Sequence, residues 1–220
     1  MSTKKTAAFF DFDGTLYNGV VAFDFLKFLV ANRLLKIREI VGLLKLFYYY
    51  ALDKFSLAER YNTNKKIYQK VIGWNSHSLE SNSRKFLESR IAHKLFHSIA
   101  KILDEHSKNG HKIIIVTTAL REIVSPIRKL IKIDDIIATE VEIKNELYTG
   151  KIKLLPVGKN RIKIIRKYCN LHNIDIKKSY AYSDHFSDIP MLENIGNPVA
   201  VNPDRKLKIY ALKKGWRVIN

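Results

Sequence analysis

Four short stretches of the chain hold side chains that can do chemistry together. The first is Asp11-Phe12-Asp13-Gly14-Thr15, with two carboxylates two residues apart. The second is Thr117-Thr118, the third is Gly158-Lys159, and the fourth is Ser183-Asp184 with Asp188 four residues on. Carboxylates gathered in one place repel one another unless a cation compensates, and a small set of oxygen ligands suits Mg²⁺. Mg²⁺ with a lysine, hydroxyls and backbone amides suits a phosphoryl group, whose transfer is largely positioning and charge stabilisation. A carboxylate can itself be the nucleophile and carry the phosphoryl group as an aspartyl-phosphate. A second carboxylate two residues on, on the same face of a strand, can serve as acid and then as base.

These stretches need elements that bring them to one edge. Residues 7–12 are apolar, aromatic and brief, as for a buried strand that runs into a glycine turn. Residues 112–117, KIIIVT, are β-branched and continuous, as for a strand buried on both faces of a parallel sheet. Further strands are predicted at 136–138, 179–183, 198–201 and 216–219, with a hairpin at 141–143 and 147–152. Helices are predicted at 121–131, 160–172, 189–192 and 203–213. Strands alternating with helices give an α/β fold, a Rossmann-like parallel sheet with helices on both faces. Ligands of such sheets sit at the carboxyl ends of the strands, where the four stretches fall.

Residues 20–107 differ in character. They contain no proline and only two glycines, Gly42 and Gly73, and their apolar residues recur at helical spacing. Leu26, Leu29, Val30, Leu34, Ile37, Val41, Leu44 and Tyr48 share one broad helical face. Ser56 and Glu59 form a capping-box pair at a predicted helix start. This is too long for an ordinary connection, so it reads as a helical cap domain inserted after the first strand, with residues 1–19 and 108–220 forming the core.

With the elements in place, the four stretches resemble the ordered motifs of the haloacid dehalogenase superfamily of phosphohydrolases. The helical insertion and the tail from Asn197 to Trp216 resemble its phosphoserine-phosphatase-like branch. The resemblance implies a Mg²⁺-dependent phosphomonoester hydrolase acting on a small phosphorylated metabolite. It makes Asp11 the nucleophile and Asp13 the acid and base. It gives Thr117 and Lys159 to the phosphate, with the amides of Phe12 and Thr118. Asp184 joins Asp11 and the carbonyl of Asp13 as metal ligand, and Asp188 orients the metal waters or Lys159. Two positions depart from the pattern. Ser183 stands where the family usually has glycine. Val20 stands nine residues after the nucleophile, where phosphoserine phosphatases carry a glutamate for the substrate ammonium. An apolar side chain cannot pair with an amine, so phosphoserine is expected to be a poor substrate. Val20 and Phe23 are expected in the cap–core cleft and favour a substrate with apolar character.

Composition bounds the partners. The 220 residues include 39 Lys and Arg against 21 Asp and Glu, a formal net charge of +18. Such a balance suits nucleic acid, an anionic membrane surface or a phosphorylated substrate. No nucleic-acid-binding motif is present, which leaves the other two. Residues 25–54 combine aromatic and basic side chains. Two readings stand for them: packing within the cap, or an amphipathic surface facing anionic lipid and a lipid-linked phosphate. The longest charge-free run there is seven residues, 46–52, whereas a membrane span needs roughly 20. A cytoplasmic protein, with peripheral contact to the inner membrane as the alternative, is expected. Cys169 is the single cysteine, which excludes an internal disulfide and fits a reducing compartment. The remaining alternative from another class is a non-catalytic basic module that keeps the fold for anion binding. Oligomeric state is not written in the sequence.

Overall fold

The computed structural model describes residues 4–35, 41 and 57–220. Seven strands form one sheet: β1 (Ala7–Phe10), β2 (Lys112–Leu120), β3 (Asp135–Lys144), β4 (Leu147–Leu154), β5 (Tyr180–Ser183), β6 (Asn197–Val201) and β7 (Arg217–Ile219). Their order is β4-β3-β2-β1-β5-β6-β7. Every neighbouring pair is parallel except β3 and β4, the predicted hairpin. Ala7, Ala8, Phe9 and Phe10 are all buried, since β1 has the sheet's two halves beside it and helices on both faces. The Rossmann-like α/β fold is therefore the observed one.

The helices among the described residues are α1 (Val21–Ala31), α2 (Leu57–Gln69), α3 (Ser76–Phe86), α4 (His97–Lys108), α5 (Arg121–Val124), α6 (Gly158–Leu171), α7 (Ile189–Leu192) and α8 (Arg205–Lys214). A π-helical stretch, Leu87–Ile91, follows α3. The predicted helix at 121–131 is split, because Pro126 tightens its second half into a 3₁₀ turn, Ser125–Lys129. One core face carries Ile162, Ile165 and Cys169 of α6, Met191 and Leu192 of α7, and Leu207 and Ala211 of α8. Cys169 is a small buried filler there. The opposite face carries the elements between β1 and β2, including Phe25, Phe28 and Leu29 of α1 and Ile102 and Leu103 of α4.

Helix α4 returns the chain to the sheet, and its buried His106 bonds the hydroxyl of Tyr182 on β5. Of the predicted stripe from Leu26 to Tyr48, Leu26 and Leu29 are buried while Val30, Leu34 and Val41 are exposed. Ile37, Leu44, Tyr48 and the cap residue Ser56 lie outside the described residues. No helix among the described residues is long and apolar enough to cross a membrane.

Candidate active site

The carboxyl ends of β1, β2 and β5 meet at one cavity of about 400 Å³. Asp11 follows β1 directly, and its N–H donates to the Tyr182 carbonyl at 2.9 Å, so β1 and β5 set its place. Asp13, one turn further, sits where the chain leaves the sheet. The turn closes through the Gly14 N–H, which donates to the Tyr17 carbonyl at 2.8 Å. Gly14 has φ +75, and a Cβ there would lie 2.0 Å from Oδ2 of Asp184. Glycine is required on both counts: the left-handed backbone, and the close approach of the two loops.

Asp13 faces the insertion. Its Oδ1 accepts the N–H of Val21, the first residue of α1, at 2.7 Å. Burial raises its pKa to about 7, although that hydrogen bond pulls the other way. A carboxyl poised there can give a proton and take it back. Burial and then the neighbouring Asp188 likewise raise Asp184 to about 7. Burial pushes Asp11 up too, with the attraction of Arg161 opposing it.

The buried cation of the site is Arg161. Its Nη1 lies 3.0 Å from Oδ1 of Asp11 and 2.8 Å from Oδ2 of Asp188. Its Nε donates to the Pro156 carbonyl at 3.1 Å, which fixes the guanidinium plane. Lys159 is exposed and does not line the cavity, whereas Gly158 and Arg161 do. The cation that the structure places in the cavity is thus an arginine two residues on from the expected lysine. In α6 a residue two positions further points about 200° round the helix, which turns Lys159 to solvent and Arg161 to the sheet. The sequence signal for Arg161 was available: it shares the apolar face of Ile162 and Ile165, where an arginine has no reason to sit without a partner.

The threonines also exchange places. Thr117 is buried, and its Oγ1 accepts the Ala119 N–H at 3.1 Å. Thr118 lines the cavity. The β2–β3 register slips between Val116 and Leu120, which opens the strand at these two residues. Hydroxyls of Tyr68 on α2 and Thr139 on β3 both donate to the Thr118 carbonyl, the latter at 2.6 Å. Phe12 buries its side chain under the turn, stacked on Tyr17, and leaves only its backbone near the site.

Ser183 supplies a link that glycine could not. Its Oγ donates to Oδ2 of Asp188 at 2.7 Å, beside the Arg161 contact. Asp204, unremarked in the sequence, ties down the loop between them. Its Oδ2 accepts the Phe186 N–H and its Oδ1 the Leu207 N–H, each at 2.8 Å. Its place before α8 and after Pro203 is a recognisable helix-start signal.

Val20 is 40% exposed and lines the cavity, as expected. Phe23 does not. The face of α1 turned to the apolar space beside the site carries Ala22, Phe25, Leu26 and Leu29, the helical i, i+3, i+4, i+7 set. Phe23 falls off that face and lies under the Lys27 ammonium at 4.3 Å.

A matching family model now decides the relationship. Residues 8–193 match the haloacid dehalogenase-like hydrolases. The chain belongs to this family. It is 28% identical over its whole length to the "Inhibition of morphological differentiation protein" of Streptomyces azureus, covering 79% of that protein. It is 27% identical over 96% of its length to phosphoserine phosphatase SerB1 of Mycobacterium tuberculosis, covering 70% of it. A Bordetella pertussis protein of unknown function shares the fold at a TM-score of 0.86 and 23% identity, with 99% of each chain covered.

The hydrolase's donor set fits Mg²⁺. Asp11, Asp13, Asp184 and Asp188 gather here, and only Asp11 and Asp188 touch the one guanidinium, so gathering these carboxylates without a further cation is costly. Among the described residues no three His, Cys, Asp or Glu side chains form a metal-holding group. Two carboxylates and a carbonyl are a fitting set instead for an ion that keeps several waters. Asp11, Asp184 and the Asp13 carbonyl would hold it.

Proposed function

We propose that this hydrolase is a Mg²⁺-dependent phosphomonoesterase that works through an aspartyl-phosphate. The observation that carries the reading is the pair Asp11 and Asp13, one carboxylate held against a guanidinium and the other pushed up to about 7. A carboxylate oxygen of Asp11 attacks phosphorus, and the bond from phosphorus to the ester oxygen breaks. Protonated Asp13 gives its proton to that leaving oxygen. Asp13, now a carboxylate, takes a proton from water as the water oxygen attacks the phosphorus. The bond to Asp11 breaks, and inorganic phosphate and the Asp11 carboxylate are restored. Arg161 offsets the charge gathered at Asp11, and Thr118 lines the same cavity. A Mg²⁺ held by Asp11, Asp184 and the Asp13 carbonyl would neutralise charge on the phosphoryl oxygens.

The insertion up to α4 acts as a cap over the site in this reading. Tyr68 and Val21 tie it to the catalytic loops, and Lys94 and Phe96 add backbone hydrogen bonds to Asn18 and Leu16. SerB1 is named for phosphoserine, but Val20 offers no charge to an ammonium at the cavity wall, so phosphoserine is a poor substrate here. The test is phosphate release from p-nitrophenyl phosphate, phosphoserine, lysophosphatidate and phosphatidylglycerophosphate, with Mg²⁺ and with EDTA. Mg²⁺-dependent release that Asp11→Asn abolishes is expected. Release untouched by Asp11→Asn overturns the mechanism, and efficient turnover of phosphoserine overturns the role of Val20.

A further inference from the structure

The catalytic cavity does not end at the phosphate. Asp13, Val20, Asn64 and Thr118 line it on one side and line a second cavity, of about 80 Å³, on the other. That second space runs between α1, α2 and the end of β2. Beyond those four residues its walls are mainly hydrocarbon, with Phe25, Leu26 and Val71 along it. Leu29, Trp74 and Leu79 close its far end and also line a third, outer space of about 470 Å³ that reaches Arg33 and the exposed Leu34. Three spaces thus follow one another: a polar cavity at the reacting atoms, a narrow apolar slot, and an outer opening.

An apolar slot joined to a catalytic cavity needs an occupant. Water is a poor one, since hydrocarbon walls gain free energy when an apolar occupant takes the place of water against them. Its volume limits the size of a better one. A cavity of about 150 Å³ takes a benzene ring. One of about 80 Å³ has about half that room and, lying between two helices, suits a slim unbranched chain. Asn64, almost fully buried on α2, stands at the junction, where a substrate changes from polar to apolar.

Resting on the phosphomonoesterase reading, we infer that the substrate is a phosphate monoester of a primary alcohol carrying an unbranched hydrocarbon chain, with the phosphate at Asp11 and the chain threaded past Asn64 between α1 and α2. The slot contributes to binding in ground state and transition state alike, so its effect falls mainly on KM.

The test is a series of n-alkyl phosphates, ethyl to octyl, kept below micelle-forming concentration, with p-nitrophenyl phosphate as reference. In the wild-type protein kcat/KM should rise about fourfold per methylene over the first few, because burying one contributes about 0.8 kcal/mol. Two slot-filling variants, Ala22→Leu and Val71→Phe, should each flatten that dependence, so one that fails to fold leaves the other. A flat or falling series in the wild type, with ethyl and p-nitrophenyl phosphate hydrolysed, overturns the slot and leaves the phosphomonoesterase standing. A slope unchanged in a folded filling variant also overturns it. No hydrolysis of any ester overturns the phosphomonoesterase and the slot with it.

Discussion

Oδ1 of Asp13 accepts the backbone N–H of Val21 at 2.7 Å. The carboxyl proposed as the acid is therefore held by the first residue of the inserted helices, not only by its own strand. Asp13→Asn removes the proton donor and the base together. A loss of about 10²–10⁴ in kcat is expected, the usual contribution of such a group, with the fold kept. Steady-state kinetics beside circular dichroism checks it.

Val21→Pro isolates the hydrogen bond itself. Proline is tolerated at the first helical position, and Val20 before it is already extended at φ −114, ψ 106. The helix should survive while the donor is lost. A hydrogen bond to a charged group contributes about 1.5–3 kcal/mol, so activity should fall roughly 10- to 100-fold with little change in Tm. Wild-type activity in the folded variant would show that Asp13 needs no support from α1.

Arg161 and Lys159 make opposite predictions. Arg161→Ala strands Asp11 and Asp188, both buried, without their shared cation. Activity should be lost, and unfolding should be easier by up to about 3–5 kcal/mol, less whatever protonation of the carboxylates relieves. Lys159→Ala, at an exposed position, should stay within about 0.5 kcal/mol and close to wild-type kcat. Urea melts and phosphate release on the two variants decide between them.

Gly14→Ala probes the approach of the two catalytic loops. The new Cβ would meet Asp184 Oδ2 at 2.0 Å, and the left-handed backbone adds about 1 kcal/mol of strain. The Asp184 side chain must move. Activity should fall at least tenfold, and a higher Mg²⁺ concentration should be needed for half-maximal rate, read from a Mg²⁺ titration of activity. An unchanged titration would mean that Asp184 does not hold the ion.

The sheet was legible because β1 and β2 are short runs of buried apolar residues, and a parallel strand buried on both faces writes that pattern directly. Asp11, Asp13 and Asp184 were legible for a related reason, each standing where such a run stops. Arg161 leaves a weaker signal, an arginine on the apolar face of Ile162 and Ile165, beside the more conspicuous Gly158-Lys159 at the helix start. The turn of the helix that selects Arg161 needs the direction of the sheet, which composition does not give. Thr118 was secondary to Thr117 until the register slip in β2 exposed it. Phe23 stands close to the catalytic loop in sequence, but the helical period puts Ala22 and Leu26 on the face that lines the apolar space. The apolar slot is formed by residues from α1, α2 and β2, distant in sequence, so no local pattern announces it.

His106 gives a pH-dependent prediction away from the site. Its Nδ1 lies 2.8 Å from Nδ1 of His111 and its Nε2 lies 2.7 Å from the Tyr182 hydroxyl. With both rings neutral, His106 donates through Nδ1 and accepts from Tyr182, and every group is satisfied. A second proton on His106 would turn its acceptor into a donor facing Tyr182. Burial, and next the nearby His111, lower its pKa from 6.5 to about 4. The unfolded chain thus takes up a proton between those values that the native state refuses. The stability from His106 is complete above about pH 6.5 and is lost as pH falls towards about 4. The full loss is at most about 3.4 kcal/mol, at 1.36 kcal/mol per pKa unit, less what solvent screening removes. His106→Gln should be less stable at pH 7 through lost packing, yet its stability should fall less steeply between pH 6.5 and 4. Parallel slopes in urea melts of the two proteins across that range would overturn the buried neutral pair.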